Sequence, residues 1–519
     1  MAFGRFRGQH GAAQQQTQPM DVNEKTDTVA TTVDDTPLEY TEKTWWQRRA
    51  PVIACGSGLF SDGYLNGVIG SVNTCLKRLY KTEYSHSNAQ SNITSLVFVG
   101  EVVGIIIFGY TSDNYSRKWS IFASTVILFV FSALAAGAYG AHGTPGGLFA
   151  ALAAYRFLLG IGIGGEYPAG SVGCSESTGE LKAGTRNRWF IWFTNLAIDV
   201  GFVVAAFVPM IVVLATGEGH LRAAWRIMLG IGCIPPLSLF YMRFKLQEPE
   251  AFRRNTMAKC KTPWMLIIRK YWFRLAVVST IWFIYDYSSY AFGTYSAPSV
   301  DNVIGTDAPL WKTFGWNTVI NLFYVPGAFI GSYVSDWIGP RKALAYGVTA
   351  QAVVGFIMAG CYEKLAIPKN IGAFCVVYGI FLSLGELGPG DNIGLIASKT
   401  SATAMRGRYY AVAAAAGKIG AFIGNYLYPI LVADAGSNTI KGNQYPFWVA
   451  SSLCILSAFL AFFCLPEIGQ DTIDHEDAAF KAYLLEHNWD ISNMGLVGSA
   501  APPARLEEGS RYGNEKHAL

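Results

Sequence analysis

Apolar and polar positions along this chain fall into long blocks rather than single alternations. After a polar opening, apolar runs recur near 51 to 71, 93 to 112, 119 to 140, 147 to 173, 189 to 215, 225 to 242, 274 to 297, 314 to 335, 343 to 361, 370 to 390, 409 to 432 and 446 to 465. Most approach the roughly 20 residues that a helix needs to cross a hydrocarbon layer. The pattern predicts an all-α membrane protein with twelve transmembrane helices. A basic stretch containing Arg253, Arg254, Lys259, Lys261 and Arg269 divides six runs from six. The expected organisation is a disordered polar tail over 1–50, a six-helix bundle over 51–242, a linker over 243–273, a second six-helix bundle over 274–466 and a polar tail over 467–519. No apolar core follows a basic start in the first tail, so it does not read as a signal peptide.

Composition agrees with this pattern. Of 519 residues, 51% are hydrophobic and only 15% charged, whereas a soluble chain carries nearer a quarter. The net charge of +4 is small and its cations are scattered between apolar runs, which points away from nucleic acid. The nine cysteines show no CxxC and lie mostly inside apolar runs, so they read as packing residues, with no metal centre expected. Alternate loops hold Arg117, Lys118, Lys182, Arg186, Arg188, the linker cations, Arg341, Lys342, Lys399, Arg406 and Arg408, while the opposite loops hold fewer. The positive-inside rule then places both termini in the cytosol. No GxxxxGK[ST], HExxH or GxSxG in a suitable context argues for an enzyme.

The informative residues are the ionisable ones inside apolar spans, because charge in hydrocarbon is costly and normally faces a protein interior or a wet path. Asp62, Glu101, Glu166, Asp199 and Asp286 are of this kind. Each is a candidate proton carrier, with Asp62 and Glu166 preferred and Glu101 alternatively bonded to a neighbouring helix. Glu166 stands in a glycine-rich run with Tyr167, Pro168 and, ten residues earlier, Arg156, which offers it a purely structural partner. Trp282, Asp286 and Tyr290 are four apart and share a helix face. Lys418 lies among small residues from Ala411 to Gly424 and needs a negative group opposite, either an anionic substrate or Asp286.

A short motif occurs once in each half: Asp113 followed by Arg117-Lys118, and Asp336 followed by Arg341-Lys342. An acid ahead of a basic pair in a short loop suits a charge latch. With Arg156-x-x-x-Gly160-x-Gly162, Glu248-Pro249-Glu250 and Pro466-Glu467, these loops resemble the signatures of the major facilitator superfamily over roughly residues 50 to 470. That resemblance implies two pseudo-symmetric six-helix bundles, with Asp113, Arg117, Asp336, Arg341 and Arg156 as gating residues.

Four further stretches narrow the branch. Gly164-Gly165-Glu166-Tyr167-Pro168, Phe60-Ser61-Asp62-Gly63-Tyr64, Trp282-x-x-x-Asp286-x-x-x-Tyr290 and Gly417-Lys418-Ile419-Gly420 resemble the proton-coupled phosphate symporters and the fungal glycerophosphoinositol permeases. The resemblance implies that Trp282, Asp286, Tyr290 and Lys418 surround a substrate phosphate; read from the residues themselves, Tyr290 and Tyr167 are donors to an anionic substrate that meets Lys418. The chain departs from the inorganic phosphate symporters in several places: Glu166 replaces an aspartate, Leu65 and Asn66 replace an acid, and the helix-five glutamine has only Thr194 or Asn195 near it. Gly388-Pro389-Gly390-Asp391-Asn392 looks more like the glycerophosphodiester permeases, which makes Asp391 and Asn392 candidate contacts for substrate hydroxyls. The leading expectation is proton-gradient-driven uptake of an organic phosphate, such as a glycerophosphodiester, by a monomer in the plasma membrane. Its partners are a small anionic metabolite, protons and the lipid bilayer, and no cofactor is expected. An inorganic phosphate symporter, a facilitator for carboxylates or sugars, and a transporter-like nutrient sensor remain the alternatives.

Overall fold

The computed structural model describes residues 44–495 except 86, 180, 259, 306, 307, 437 and 493. The predicted tails therefore lie outside the described residues up to 43 and beyond 495. Among the described residues the chain is helical without strands. Twelve long helical spans follow one another: Phe60–Ser85, Ala89–Asn114, Arg117–Ala136, Pro145–Thr178, Arg186–Thr216, Glu218–Phe244, Trp264–Ile304, Leu310–Ile338, Pro340–Leu365, Pro368–Lys399, Arg406–Asp434 and Thr439–Cys464. They are called spans 1 to 12 below. Local chemistry sets several starts. Thr44 and Gln47 form a capping box for a preceding helix, Trp45–Gly56, Ser116 caps span 3, and Thr144 caps span 4 ahead of Pro145.

Among the described residues nine of these helices are apolar enough over a full crossing to qualify by hydropathy. Spans 1, 7 and 11 fall short, and these three carry Asp62, Asp286 and Lys418. A helix that supplies polar groups to the interior gives up part of its own hydropathy and depends on its neighbours for burial.

Close backbone approach puts these groups in register. A side chain at Gly160 would fall 2.1 Å from the Val97 carbonyl, and one at Gly164 would fall 2.3 Å from that of Glu101. Span 4 therefore lies directly on span 2 and holds Glu101 in the centre. Gly420 and Gly424 do the same for span 11 against the Phe283 and Tyr287 carbonyls of span 7, bringing Lys418 beside Asp286. Spans 4 and 10 each contain a π-helical turn, Glu166–Ser171 and Glu386–Gly390. Each opens on a glutamate, so the two halves repeat one irregular feature at one position.

Two segments differ from the expected boundaries. Span 7 starts at Trp264, shortening the linker, which holds one short helix, Glu250–Asn255. The region after 466 contains a helix, Thr472–Glu486, whose Phe480 and Leu484 pack with Met257, Ile267, Tyr271 and Tyr409. Asp477 of that helix accepts hydrogen bonds from the backbone and hydroxyl of Thr403, both 2.6 Å, and from Asn255 at 2.9 Å.

Candidate functional site

At the centre Lys418 is fully buried and faces three buried carboxylates: Glu101 at 3.2 Å, Asp62 at 3.4 Å and Asp286 at 3.7 Å. Its ammonium donates to the Tyr290 hydroxyl and lies over the Tyr290 and Tyr167 rings at 3.9 and 4.5 Å, a cation–π arrangement. Tyr290 donates to Asp62 at 3.0 Å, and Tyr167 donates to the same carboxylate. The Asn66 amide bridges Asp62 and Glu101 at 2.7 and 2.8 Å. Trp282 stands beside Tyr410 and Tyr167 and fits only because residue 417 is glycine, whose added Cβ would lie 2.4 Å from the indole.

Of the partners the sequence left open for Lys418, Asp286 is present, and Asp62 and Glu101 join it, so the lysine faces three acids instead of one. Asn66, visible in the sequence only as a departure from the phosphate symporters, is the residue that joins two of those acids.

Tyr167, Trp282, Asp286 and Tyr290 line one side of a cavity of about 50 Å³, room for a few water molecules. The other side is acidic. Asp199 of span 5 and Glu386 and Asp391 of span 10 gather around the Asn195 amide, at 3.4, 3.1 and 3.0 Å. Tyr285 donates to both Glu386 oxygens, at 2.8 and 2.7 Å. Glu386 and Tyr285 were not among the residues singled out from the sequence. A signal was present, since Gly385-Glu386-Leu-Gly-Pro389-Gly390 repeats the pattern of Gly165-Glu166-Tyr-Pro168-Ala-Gly170.

Several expected residues lie elsewhere. Glu166 stands outside the central cluster, with Arg243 gripping both its oxygens at 2.5 and 2.6 Å and Ser124 donating at 2.7 Å. The carboxylate is fully paired, and its partner is Arg243 rather than Arg156. Arg156 is buried mid-bundle, donating to the Ile93 and Leu65 carbonyls, each at 2.8 Å, and to Asn66 at 3.2 Å. It belongs to the support of the centre and not to a loop latch. Asn392 bonds the Gly388 carbonyl at 2.7 Å and the Ser335 hydroxyl, so it braces span 10 against span 8 and does not line the cavity.

The loop acids do cross between halves. Asp113 pairs with Arg117 at 2.6 Å and accepts from the backbone N–H groups of Gly407 and Arg408 at 3.0 and 2.8 Å, meeting the positive end of span 11. Arg117 also pairs with Glu176 at 2.9 Å, and Glu176 reaches Arg406 at 3.3 Å. In the other half Asp336 pairs with Arg188 at the start of span 5, 3.4 Å away, and accepts from Gln470 at 2.9 Å. Arg341 instead donates to the Phe462 carbonyl at 3.0 Å, so Arg188 fills the place expected for it. At the opposite face Arg78 joins Glu218, Asp301 and the Ala308 carbonyl at 3.3, 3.3 and 3.1 Å. Both faces are thus bridged between the halves.

The chain is similar to known proteins in sequence and in fold. The model of the sugar (and other) transporter family matches residues 50–254 and again 250–480. The major glycerophosphoinositol permease of Candida albicans is 49% identical over 471 residues, 89% of this chain and 87% of that protein. A glycerophosphocholine permease of the same organism is 47% identical over 491 residues, 94% and 90% of the two chains. Among solved structures, a major facilitator superfamily proton:xylose symporter superposes with a TM-score of 0.69 at 17% identity, covering 83% of this chain and 98% of its own. The chain therefore belongs to the sugar (and other) transporter family of the major facilitator superfamily, and it is a membrane transporter rather than an enzyme.

Proposed function

We propose that the protein is a proton-coupled symporter that takes up a glycerophosphodiester across the plasma membrane, with both termini in the cytosol. The observation that carries this reading is the buried ammonium of Lys418 held by three carboxylates. With all four groups ionised the set has two surplus negative charges, so a phosphodiester anion is repelled from the one cation it needs. Protons that discharge Asp62, Glu101 and Asp286 release Lys418 to meet the phosphate. Their later departure lets the carboxylates reclaim the lysine and expel the anion. Anion and protons are then obliged to travel together, and each net positive charge moved inward gains about 2.3 kcal/mol per 100 mV. The relatives named as glycerophosphodiester permeases support the substrate class.

The deciding experiment is uptake of labelled glycerophosphodiesters and of inorganic phosphate by transporter-deficient cells expressing the chain, with and without an uncoupler. Uphill, uncoupler-sensitive uptake of a phosphodiester is expected. Uptake of inorganic phosphate alone would refute the substrate, and uphill uptake indifferent to the uncoupler would refute the coupling.

A further inference from the structure

A second cavity, apolar and about 670 Å³, lies among spans 1, 5, 6 and 8, with Ser57, Phe60, Trp192, Val200, Ser238 and Phe329 in its wall. It shares no lining residue with the central cavity. Val200, Phe329 and the neighbouring Ile234 are exposed, so it is a groove on the lipid-facing side of the bundle. Two interrupted helices make room for it: span 5 breaks at Thr194, and span 6 breaks ahead of Pro235 and Pro236, residues without a backbone donor. The wall belongs to both halves. Trp192 of the first stacks on Phe329 of the second at 6.1 Å and donates to the Ser332 hydroxyl at 3.0 Å. Cations gather at one end. Arg49 lies over the Trp45 and Trp189 rings at 4.2 and 4.8 Å, and Trp189 in turn stacks on Phe193, a wall residue. Lys245 caps span 6, whose end is held beside the same helix by the bond from Arg243 to the Ala54 carbonyl at 3.2 Å. Among the described residues Arg48, Arg49 and Lys245 make no ion pair, and the buried Nε of Arg49 has no hydrogen-bond partner. Trp45 and Trp46 are exposed on that helix, as aromatic side chains are at a membrane–water boundary.

We propose that this groove binds an anionic phospholipid from the leaflet next to helix Trp45–Gly56, with one acyl chain along the apolar wall and the head group at Arg48, Arg49 and Lys245. The depth agrees. Arg49 precedes Phe60 by eleven residues, about 16 Å along a helix, and half of a bilayer's hydrocarbon core is about 15 Å. A lipid whose phosphate meets Arg49 therefore runs its chain past Ser57 and Phe60 toward the bilayer midplane. The unpaired cations select the head group, since a sterol would leave them unmatched and a zwitterionic lipid brings a positive charge of its own. Because the wall is shared between the halves, a chain seated there favours the arrangement in which spans 5 and 8 meet, and parting those spans dismantles the site. The lipid is a ligand of one conformational state.

The test uses the full chain in phosphatidylcholine nanodiscs that carry a trace of phosphatidylserine or phosphatidylcholine with a photoactivatable acyl chain, and labelled peptides are identified by mass spectrometry. Phosphatidylserine should label the peptides holding 57–60, 192–200 and 234–239 on the order of tenfold or more above phosphatidylcholine, taking roughly fivefold for each cation near an anionic head group. Ala197→Trp and Ser238→Trp fill the groove from opposite walls, and whichever melts like the wild type should lose this labelling for both lipids. Arg48→Gln combined with Arg49→Gln should bring phosphatidylserine down to the level of phosphatidylcholine while the melting temperature in pure phosphatidylcholine stays unchanged. Equal labelling by the two lipids in the wild type, or labelling spread evenly over every lipid-facing span, would mean annular lipid only and overturns the site. A photoactivatable sterol that takes the groove where phosphatidylserine does not, or a filled groove that still labels, overturns it as well.

Discussion

Glu166→Gln separates a structural ion pair from a proton carrier. Both carboxylate oxygens lie within 2.6 Å of the Arg243 guanidinium, and the two side chains are at most 1% exposed. Replacing one oxygen by NH₂ turns an acceptor into a donor aimed at another donor and leaves the arginine uncompensated. Its remaining partners, Thr125 at 2.7 Å and the Ala54 carbonyl at 3.2 Å, are neutral. Breaking one side of a buried pair costs about 3–5 kcal/mol. Because glutamine keeps one acceptor, the lower end applies, still roughly a hundredfold in a conformational equilibrium. The assay is thermal unfolding of the purified protein in nanodiscs, compared as melting temperatures since a chain of this size does not unfold in two states. Glu166→Gln and Arg243→Gln should each melt well below the wild type. The double variant should recover a large part of the loss, because it leaves no buried charge. Uptake per correctly inserted Glu166→Gln molecule should keep its dependence on the proton gradient. An unchanged melting temperature combined with loss of uphill uptake would refute this argument and restore Glu166 as a proton carrier.

Lys418→Ala should abolish phosphodiester uptake at normal surface abundance, and Lys418→Arg should also be poor, since a planar guanidinium does not fit a space shaped for a compact ammonium; near-normal uptake by Lys418→Ala would refute the anion assignment. Asp62→Asn and Glu101→Gln remove groups that compete for Lys418, so uptake should lose its acid dependence while counterflow in vesicles persists; an unaltered acid profile in both would count against them. Asp113→Asn weakens contacts to the start of span 11 and should shift the balance of open states on the order of ten- to hundredfold, using about 1.5–3 kcal/mol for charged hydrogen bonds. Spin-label distances between the halves report that shift, and loss of ligand binding in every state would contradict it. Gly58→Ala places a methyl group 1.8 Å from Arg243 and 2.1 Å from Glu166 and should lower the melting temperature as the Glu166 variant does.

The parts legible in the sequence were those governed by local rules. Run length announced the helices, four-residue spacing placed Trp282, Asp286 and Tyr290 on one face, and the lone cation of the small-residue run from Ala411 to Gly424 called for negative partners. The acids that answer it come from spans 1, 2 and 7, and no local pattern says that Asn66 will link two of them. Arg243 was unreadable for the same reason: it sits at the end of span 6, 77 residues from Glu166, while Arg156 looked nearer along the chain. Arg188 stands in for Arg341 because the latch closes between halves rather than within one. Asn392 follows Asp391 directly, yet on a helix the next residue turns about 100° away, and here it faces span 8. The docked helix after 466 was hidden by its mixed composition, since its burial depends on the linker and the start of span 11.

The three least apolar helices also bear on how the chain is made. Lys418 follows Asp62 by 356 residues, so at about 5–20 residues per second of synthesis the first acid waits roughly 20–70 s for its ammonium. Span 1 enters the bilayer in that interval with a carboxylate whose insertion as an ion costs about 2.5–3.5 kcal/mol. Arg156, which donates to the Leu65 carbonyl and to Asn66, reaches the growing bundle much earlier. Completion of the centre falls to the next-to-last span to leave the ribosome.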